Sequence, residues 1–169
     1  NIDAFFDDYI NSKPPIRGAI KLTQEQCIDC INNTGKWLIV NGALELAPPI
    51  PDSVLLEQAK SAQMVMLTSA YNASIQQPVS YMSTTFQADS DSQTKVIQVL
   101  AAMTPSGATP AGFYWVDAEN NHVVMTLAQV QGLSQAMMAQ GWAEFQRLQT
   151  RKSAVNAAVS IPDVEAVVW

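Results

Sequence analysis

From Asp52 to Gln77 no glycine or proline interrupts the chain. Leu55, Ala59, Ala62, Met66, Ala70 and Ala73 recur there at three- and four-residue steps, the spacing of one helix face. The pattern predicts a long helix, opened by a cap at Asp52 or Ser53 and ended by Pro78. Val54, Val65 and Ile75 add apolar surface off that stripe. A helix with so wide and small-residue-rich a stripe buries little alone. It is expected to pack on a second long helix or on copies of itself. The sequence offers the second helix from Leu127 to about Ala158. Thr126 and Gln129 have the spacing of a capping box at its start. Its expected buried stripe is Leu133, Met137, Trp142, Phe145, Leu148 and Val155. Gly132 and Gly141 each lower its propensity by about 1 kcal/mol relative to alanine, so they suit a close neighbour or a bend.

Around these helices the chain reads as hairpins. Residues 19–52 give a strand, a short helix, a stop, a strand, a turn and a strand. Thr23 can cap the helix while Gln26 reaches back, and Glu25 favours the first-turn dipole. Gly35 is a helix stop. Residues 36–40 are β-branched and aromatic enough for a strand, Asn41-Gly42 is the preferred pair for a tight hairpin, and Leu44 to Leu46 alternates as a return strand would. Pro48, Pro49 and Pro51 end the sheet. Farther on, Pro78 to Asp89 reads as an extended strand or loop. Ser90 and Gln93 have capping-box spacing for a helix that is apolar at Val96, Ile97, Val99, Leu100 and Met103. Residues 104–110 form a loop. Phe113 to Val116 and His122 to Thr126 form a second hairpin across 117–121. A short apolar turn closes the chain at Trp169, whose ring is expected to dock.

Charge removes several function classes. The net charge of -6 and an isoelectric point near 4.5 do not suit a nucleic-acid face, which needs clustered lysine and arginine. Arg147, Arg151 and Lys152 do cluster, and compensation of the helix dipole on a solvated face accounts for them. No apolar run approaches the roughly 20 residues of a membrane span. The first residues are acidic, which does not fit a secretory leader. Cys27 and Cys30 would lie one turn apart on one helix face. A redox motif would need a βαβ context and a structural zinc site two further ligands. Packing on an apolar face is therefore the expectation, with an intersubunit metal site the alternative. Two cysteines in such a chain suit assembly in a reducing cytoplasm.

Catalytic patterns are equally thin. A Ser-His-Asp arrangement would have to use His122, placed at a hairpin return where a surface histidine is expected. No nucleophile elbow or phosphate-binding loop is present: the best candidate, 104–110, holds one glycine and no following Lys-Ser/Thr. Asp7-Asp8 and Asp117-Glu119 read as solvated terminus and turn charges, and Asp89-Asp91 as a helix cap rather than a calcium loop. No enzyme activity, cofactor or metal is expected.

The run AIKLTQEQC, then GKWLIV, NGALEL and PPIP resembles a module of tailed-phage tail-fibre assembly and tail-fibre-associated proteins. The FFDDYINSKPPIRGAIKLT lead-in resembles theirs in outline, with Arg17-Gly18 departing from it. The apolar residues Ile2, Phe5, Phe6, Tyr9 and Ile10 would then form a docked edge or interface. The second half is similar to a domain of unknown function recurrent in phage and prophage tail proteins. That likeness rests on Phe86, Ala88, Asp89, Ser92, Trp115, Asp117, Ala118, Asn120, Val123 and Thr126. The resemblance implies a setting, the virion tail after assembly in the bacterial host cytoplasm, and supplies no catalytic residues.

The expected fold is α+β: a small N-terminal β-hairpin unit, a long central helix, and a C-terminal β-hairpin packed with two helices. The expected division is a β-rich tail-fibre-associated module at 1–50, a connecting helix at 51–78 and a tail domain at 79–169. The expected function is binding of the tail fibre, as chaperone or retained component, with a structural tail or baseplate subunit oligomerising through its helices as the alternative. Partners would be a fibre or other tail protein and copies of the chain, with no nucleic acid or membrane. Trp37, Phe113, Tyr114, Trp115 and Trp169 are the candidate partner contacts because aromatic residues dominate interface energetics; Trp37 and Trp115 serve equally well as core.

Overall fold

The computed structural model describes residues 20–33 and 35–169. The expectations for Ile2, Phe5, Phe6, Asp7, Asp8, Tyr9 and Ile10 fall outside the described residues. The fold is α+β, with five α-helices and three two-stranded antiparallel sheets among the described residues. The chain divides into two compact units, one ending at Pro51 and one spanning Asp52–Trp169.

In the first unit, α1 (Gln24–Asn32) opens with the expected capping box. Thr23 Oγ1 accepts from the Gln26 amide at 3.1 Å, and Gln26 Oε1 accepts from the Thr23 amide at 2.9 Å. Strands β1 (Trp37–Val40) and β2 (Ala43–Leu46) pair from Trp37↔Leu46 to Val40↔Ala43. Asn41 and Gly42 carry φ of 51° and 81°, the left-handed pair that matches the twist of a two-residue hairpin. The strand expected before α1 does not form: residues 20–23 have no strand pairing. Ile20 and Leu22 are apolar, but a strand needs a partner edge, and β1 and β2 pair only with each other.

The second unit is built along α4 (Leu127–Ala157), a helix of 31 residues with the expected Thr126–Gln129 capping box. Helix α2 (Asp52–Ser74) runs antiparallel to it, since Lys60 reaches the Asn156 carbonyl while Gln140 reaches Ser74 and Gln77. α2 thus packs on the second long helix, one of the two partners expected for it, and belongs to this unit. Helices α3 (Ser90–Met103) and α5 (Ile161–Glu165) complete the helical set. At one end of α4, Leu133, Met137 and Val130 join Phe86, Val96 and Met125 in a first core. At the other end, Leu148 and Val155 join Leu67 and Val164 in a second.

Several local expectations change. Residues 79–86 form a hairpin, β3 (Val79–Tyr81) with β4 (Thr84–Phe86), not a single extended segment. Its turn is Met82-Ser83, with φ of 52° and 61°. The backbone is that of the Asn-Gly hairpin built from residues that disfavour it, so composition gives no turn signal. The third hairpin pairs β5 (Tyr114–Val116) with β6 (His122–Val124) as expected, and the Ala118 amide ties it to the Thr85 carbonyl at 2.8 Å. The cap of α3 is Asp89, which accepts from the Ser92 amide at 2.8 Å. Gln93, expected in a box with Ser90, instead donates to the Ile75 and Ala88 carbonyls at 3.0 and 2.7 Å.

The buried face of α2 is rotated from the expected stripe. Leu56, Ala59, Gln63, Leu67 and Tyr71 face the second core, while Ala62 and Met66 are exposed. A polar residue hides that face in the sequence: Gln63 is buried because its amide donates to the Val167 carbonyl. Gly132 does admit a close neighbour. A Cβ built there would lie 2.1 Å from Tyr81 Oη and 2.6 Å from its Cζ, so the phenol lies directly on the helix backbone.

Candidate functional site

Periodicity places Trp142 and Phe145 on the buried stripe of α4, yet they are 59% and 39% exposed. They lie where α4 passes from the first core to the second, and neither is buried in a core cluster. The turn after α2 is held close to this stretch by side-chain amides. Gln140 donates to the Gln77 carbonyl at 2.8 Å and the Ser74 carbonyl at 3.3 Å, while Gln93 holds Ile75 from the α3 side. These bonds satisfy the Ile75 and Gln77 carbonyls past the end of α2 and add to the Gln77 amide already on the Ser74 carbonyl. They also fix three helices around a groove of about 580 Å³.

The groove walls are Val96 and Ile97 of α3, Met137, Met138, Trp142 and Phe145 of α4, and Tyr71 and Ile75 from the end of α2. Gly141 contributes backbone, and no charged side chain lines the space. Ile97 and Met138 stand 64% and 69% exposed at its lip. Trp142 stacks on Phe145 with centroids 5.7 Å apart, and Phe145 meets Tyr71 edge-on at 6.5 Å. Tyr71 meets Trp169 edge-on at the same separation. The result is a continuous aromatic row from the docked C-terminal ring to open solvent. Aromatic rings and flexible methionines bury large area with adaptable shape. Chemically the groove offers an apolar binding surface.

The residues nominated from sequence are not brought together. Trp37 is half-buried in the first unit, where its Nε1 donates to Asp29 and Lys36 lies 5.4 Å from its ring. Phe113 and Trp115 pack against the first core. Tyr114 points to the other side of the same strand, 45% exposed, and stacks on His122 at 3.9 Å. Trp169 docks against the second core: its Nε1 donates to Ser74 Oγ at 2.8 Å, and the Arg147 guanidinium lies 4.7 Å over its ring. Arg147 therefore anchors the C-terminus, 3.6 Å from Glu144. Arg147, Arg151 and Lys152 do fall late in α4, but its last turn has no basic residue, so dipole compensation does not account for them. Sequence reading missed the groove because Trp142 and Phe145 obey core periodicity. They are exposed because no element among the described residues faces them.

The titratable groups have local structural roles. Asp117 is buried, not solvated as its turn position suggested. Its carboxylate accepts from the Asn121 amide at 2.8 Å and the Glu119 amide at 2.9 Å, and the Asn121 side chain adds a third bond. Those bonds, the Asn121 amide first, hold it below the usual carboxylate range against the opposing effect of burial. Asp89 is lowered chiefly by the Ser92 amide it caps. Asp29 is lowered chiefly by Lys36 and then by Trp37. Cys30 is buried, and burial pushes its thiol up. A raised thiol suits packing rather than nucleophilic chemistry. Among the described residues no three His, Cys, Asp or Glu side chains gather as metal ligands would, and no helix is long and apolar enough to cross a membrane.

A family model described as a domain of unknown function, DUF4376, matches residues 58–168. The chain belongs to the DUF4376 family. The matched region begins inside α2 and takes in both cores, so the family's domain coincides with the second unit. The groove lies wholly within it. No curated protein and no solved structure matches the chain.

Proposed function

We propose that this DUF4376 chain is a phage tail-fibre-associated protein that binds the fibre or a neighbouring tail protein, as assembly factor or retained component. The observation that carries the binding role is the uncharged groove, with Ile97, Met138 and Trp142 more than half exposed at its rim. Apolar surface held open by fixed helices gains free energy when a partner covers it. The tail setting is supported by the ordered motifs of residues 19–52 and 86–126. Trp142, Phe145 and Met138 replace the sequence-nominated aromatic set as the principal contacts, with Tyr114 a separate exposed ring. The alternative is a structural tail or baseplate subunit.

The test is quantitative mass spectrometry of particles from the phage or prophage that encodes the chain, normalised to the major tail protein. A fixed multi-copy ratio makes it a retained component. Absence from particles, with fibres misfolded when the gene is deleted, makes it an assembly factor. Normal fibres and particles without it would overturn the tail reading. Trp142→Ala and Met138→Glu are expected to weaken fibre binding at least tenfold without changing the helical signal, since both side chains are largely exposed.

A further inference from the structure

Two glycines lie inside α4, and only one of them has a packing reason among the described residues. At Gly132 the ring of Tyr81 lies on the helix backbone. At Gly141 an added Cβ would meet nothing within 4 Å. A glycine in a helix interior weakens the helix relative to alanine. At Gly132 the close approach of a ring offsets that weakness, and at Gly141 nothing in the described chain does. Gly141 is part of the groove wall, with Met137 and Met138 one turn before it and Trp142 and Phe145 after it. Its missing side chain leaves a notch over bare helix backbone, flanked by apolar and aromatic groups.

We infer that this notch seats an aromatic side chain, tryptophan or tyrosine, of the partner that covers the groove. The inference rests on the reading of the groove as a partner surface and adds which side chain the partner brings. Gly132 shows how α4 takes a ring: a residue without a side chain lets the aromatic plane reach the backbone. Charge narrows the choice further. The side chains that dominate interfaces are tryptophan, tyrosine and arginine. The chain is acidic overall, yet no charged residue lines the groove. A guanidinium seated there would be buried without a carboxylate, which is costly, so a neutral ring is the complement. Its N–H or O–H also finds polar lining in Ser134 and Gln93. The Gln93 amide nitrogen is engaged by the Ile75 and Ala88 carbonyls, which leaves its Oε1 to accept. Met137 and Met138 can adapt to a ring edge. Area gives the ring its place in the contact. One aromatic side chain buries about 150–250 Å², far below the roughly 1,000 Å² of a stable interface. The seated ring is therefore the anchor of a larger contact.

Carbon-13 NMR of the chain labelled at its methionine methyls, titrated with N-acetyl-tryptophanamide and with N-acetyl-leucinamide, tests the seat without any fibre. The tryptophan amide is expected to shift the Met137 and Met138 signals with a Kd of about 1–10 mM. The leucine amide is expected to bind at least about fivefold more weakly. Gly141→Ala fills the notch. Its methyl meets no clash, so the urea midpoint should rise, while the tryptophan amide should bind at least about fivefold more weakly. The raised midpoint separates a lost seat from a lost fold. Gly141→Leu, which fills more of the groove, should abolish the shifts. Unmoved Met137 and Met138 signals, equal binding of the two amides, or undiminished binding by Gly141→Ala would each overturn the inference. The tail setting is decided separately by the particle measurement, in which no amide takes part.

Discussion

Gly132→Ala separates a helix-propensity argument from a packing argument that predicts the opposite sign. At an exposed interior helix position, glycine to alanine stabilises by about 1 kcal/mol. Here the added methyl would sit 2.1 Å from Tyr81 Oη, 2.6 Å from Cζ and 2.9 Å from Cε2. The phenol oxygen could swing aside, but two ring carbons are also too close, so the whole ring must move. Tyr81 packs on the first core from β3, and displacing a packed ring costs about 2–3 kcal/mol. The net expectation is a loss of about 1–2 kcal/mol. Urea denaturation followed by far-ultraviolet circular dichroism measures it, since α4 is the longest helix. The decisive comparison is the same substitution in a Tyr81→Ala background. There the clash is gone and the propensity gain remains, so Gly132→Ala should stabilise by about 1 kcal/mol. Tyr81→Phe should not rescue, because the ring carbons remain. If Gly132→Ala stabilises the otherwise unsubstituted chain, the close approach of Tyr81 to α4 is refuted.

Replacing Met82-Ser83 by Asn-Gly supplies residues suited to the positive φ angles of that turn and should stabilise by about 1 kcal/mol in the same urea titration. Phe86→Ala removes a side chain with no exposed surface from the first core, with an expected loss of about 3–5 kcal/mol, read as a lower denaturation midpoint. The depressed carboxylates set an acid limit. Asp29, Asp89 and Asp117 have folded values below their ordinary one, so their contribution is present above the unfolded value, near about 3.9. It is lost as pH falls through the lower folded values. Thermal melts between pH 6 and pH 2 should show that loss, and Asp117→Asn should flatten the slope.

The exposed groove and the unpaired α2 face have the same physical origin. A long helix has more sides than one small domain can cover. α4 satisfies two cores at its ends and leaves Trp142 and Phe145 between them. α2 gives one side to α4 and α5, and no element among the described residues covers the other.

What the sequence determined by itself were helix starts and a tight turn whose causes lie within a few residues. Thr23 with Gln26, and Thr126 with Gln129, specify helix starts because the bonds close within one turn. Asn41-Gly42 specifies a hairpin because both residues accept positive φ. Helical spacing of the apolar residues specified the two long helices, and the α+β class followed. Only the tertiary structure decided which side of each helix is inside. Gln63 is buried through a bond to Val167, over a hundred residues away, and Trp142 is exposed because no element among the described residues covers it. The Met82-Ser83 turn is likewise held by packing of Val79 and Phe86 in the first core, not by its own residues. Periodicity fixes which residues share a face; burial depends on what the rest of the chain brings to that face.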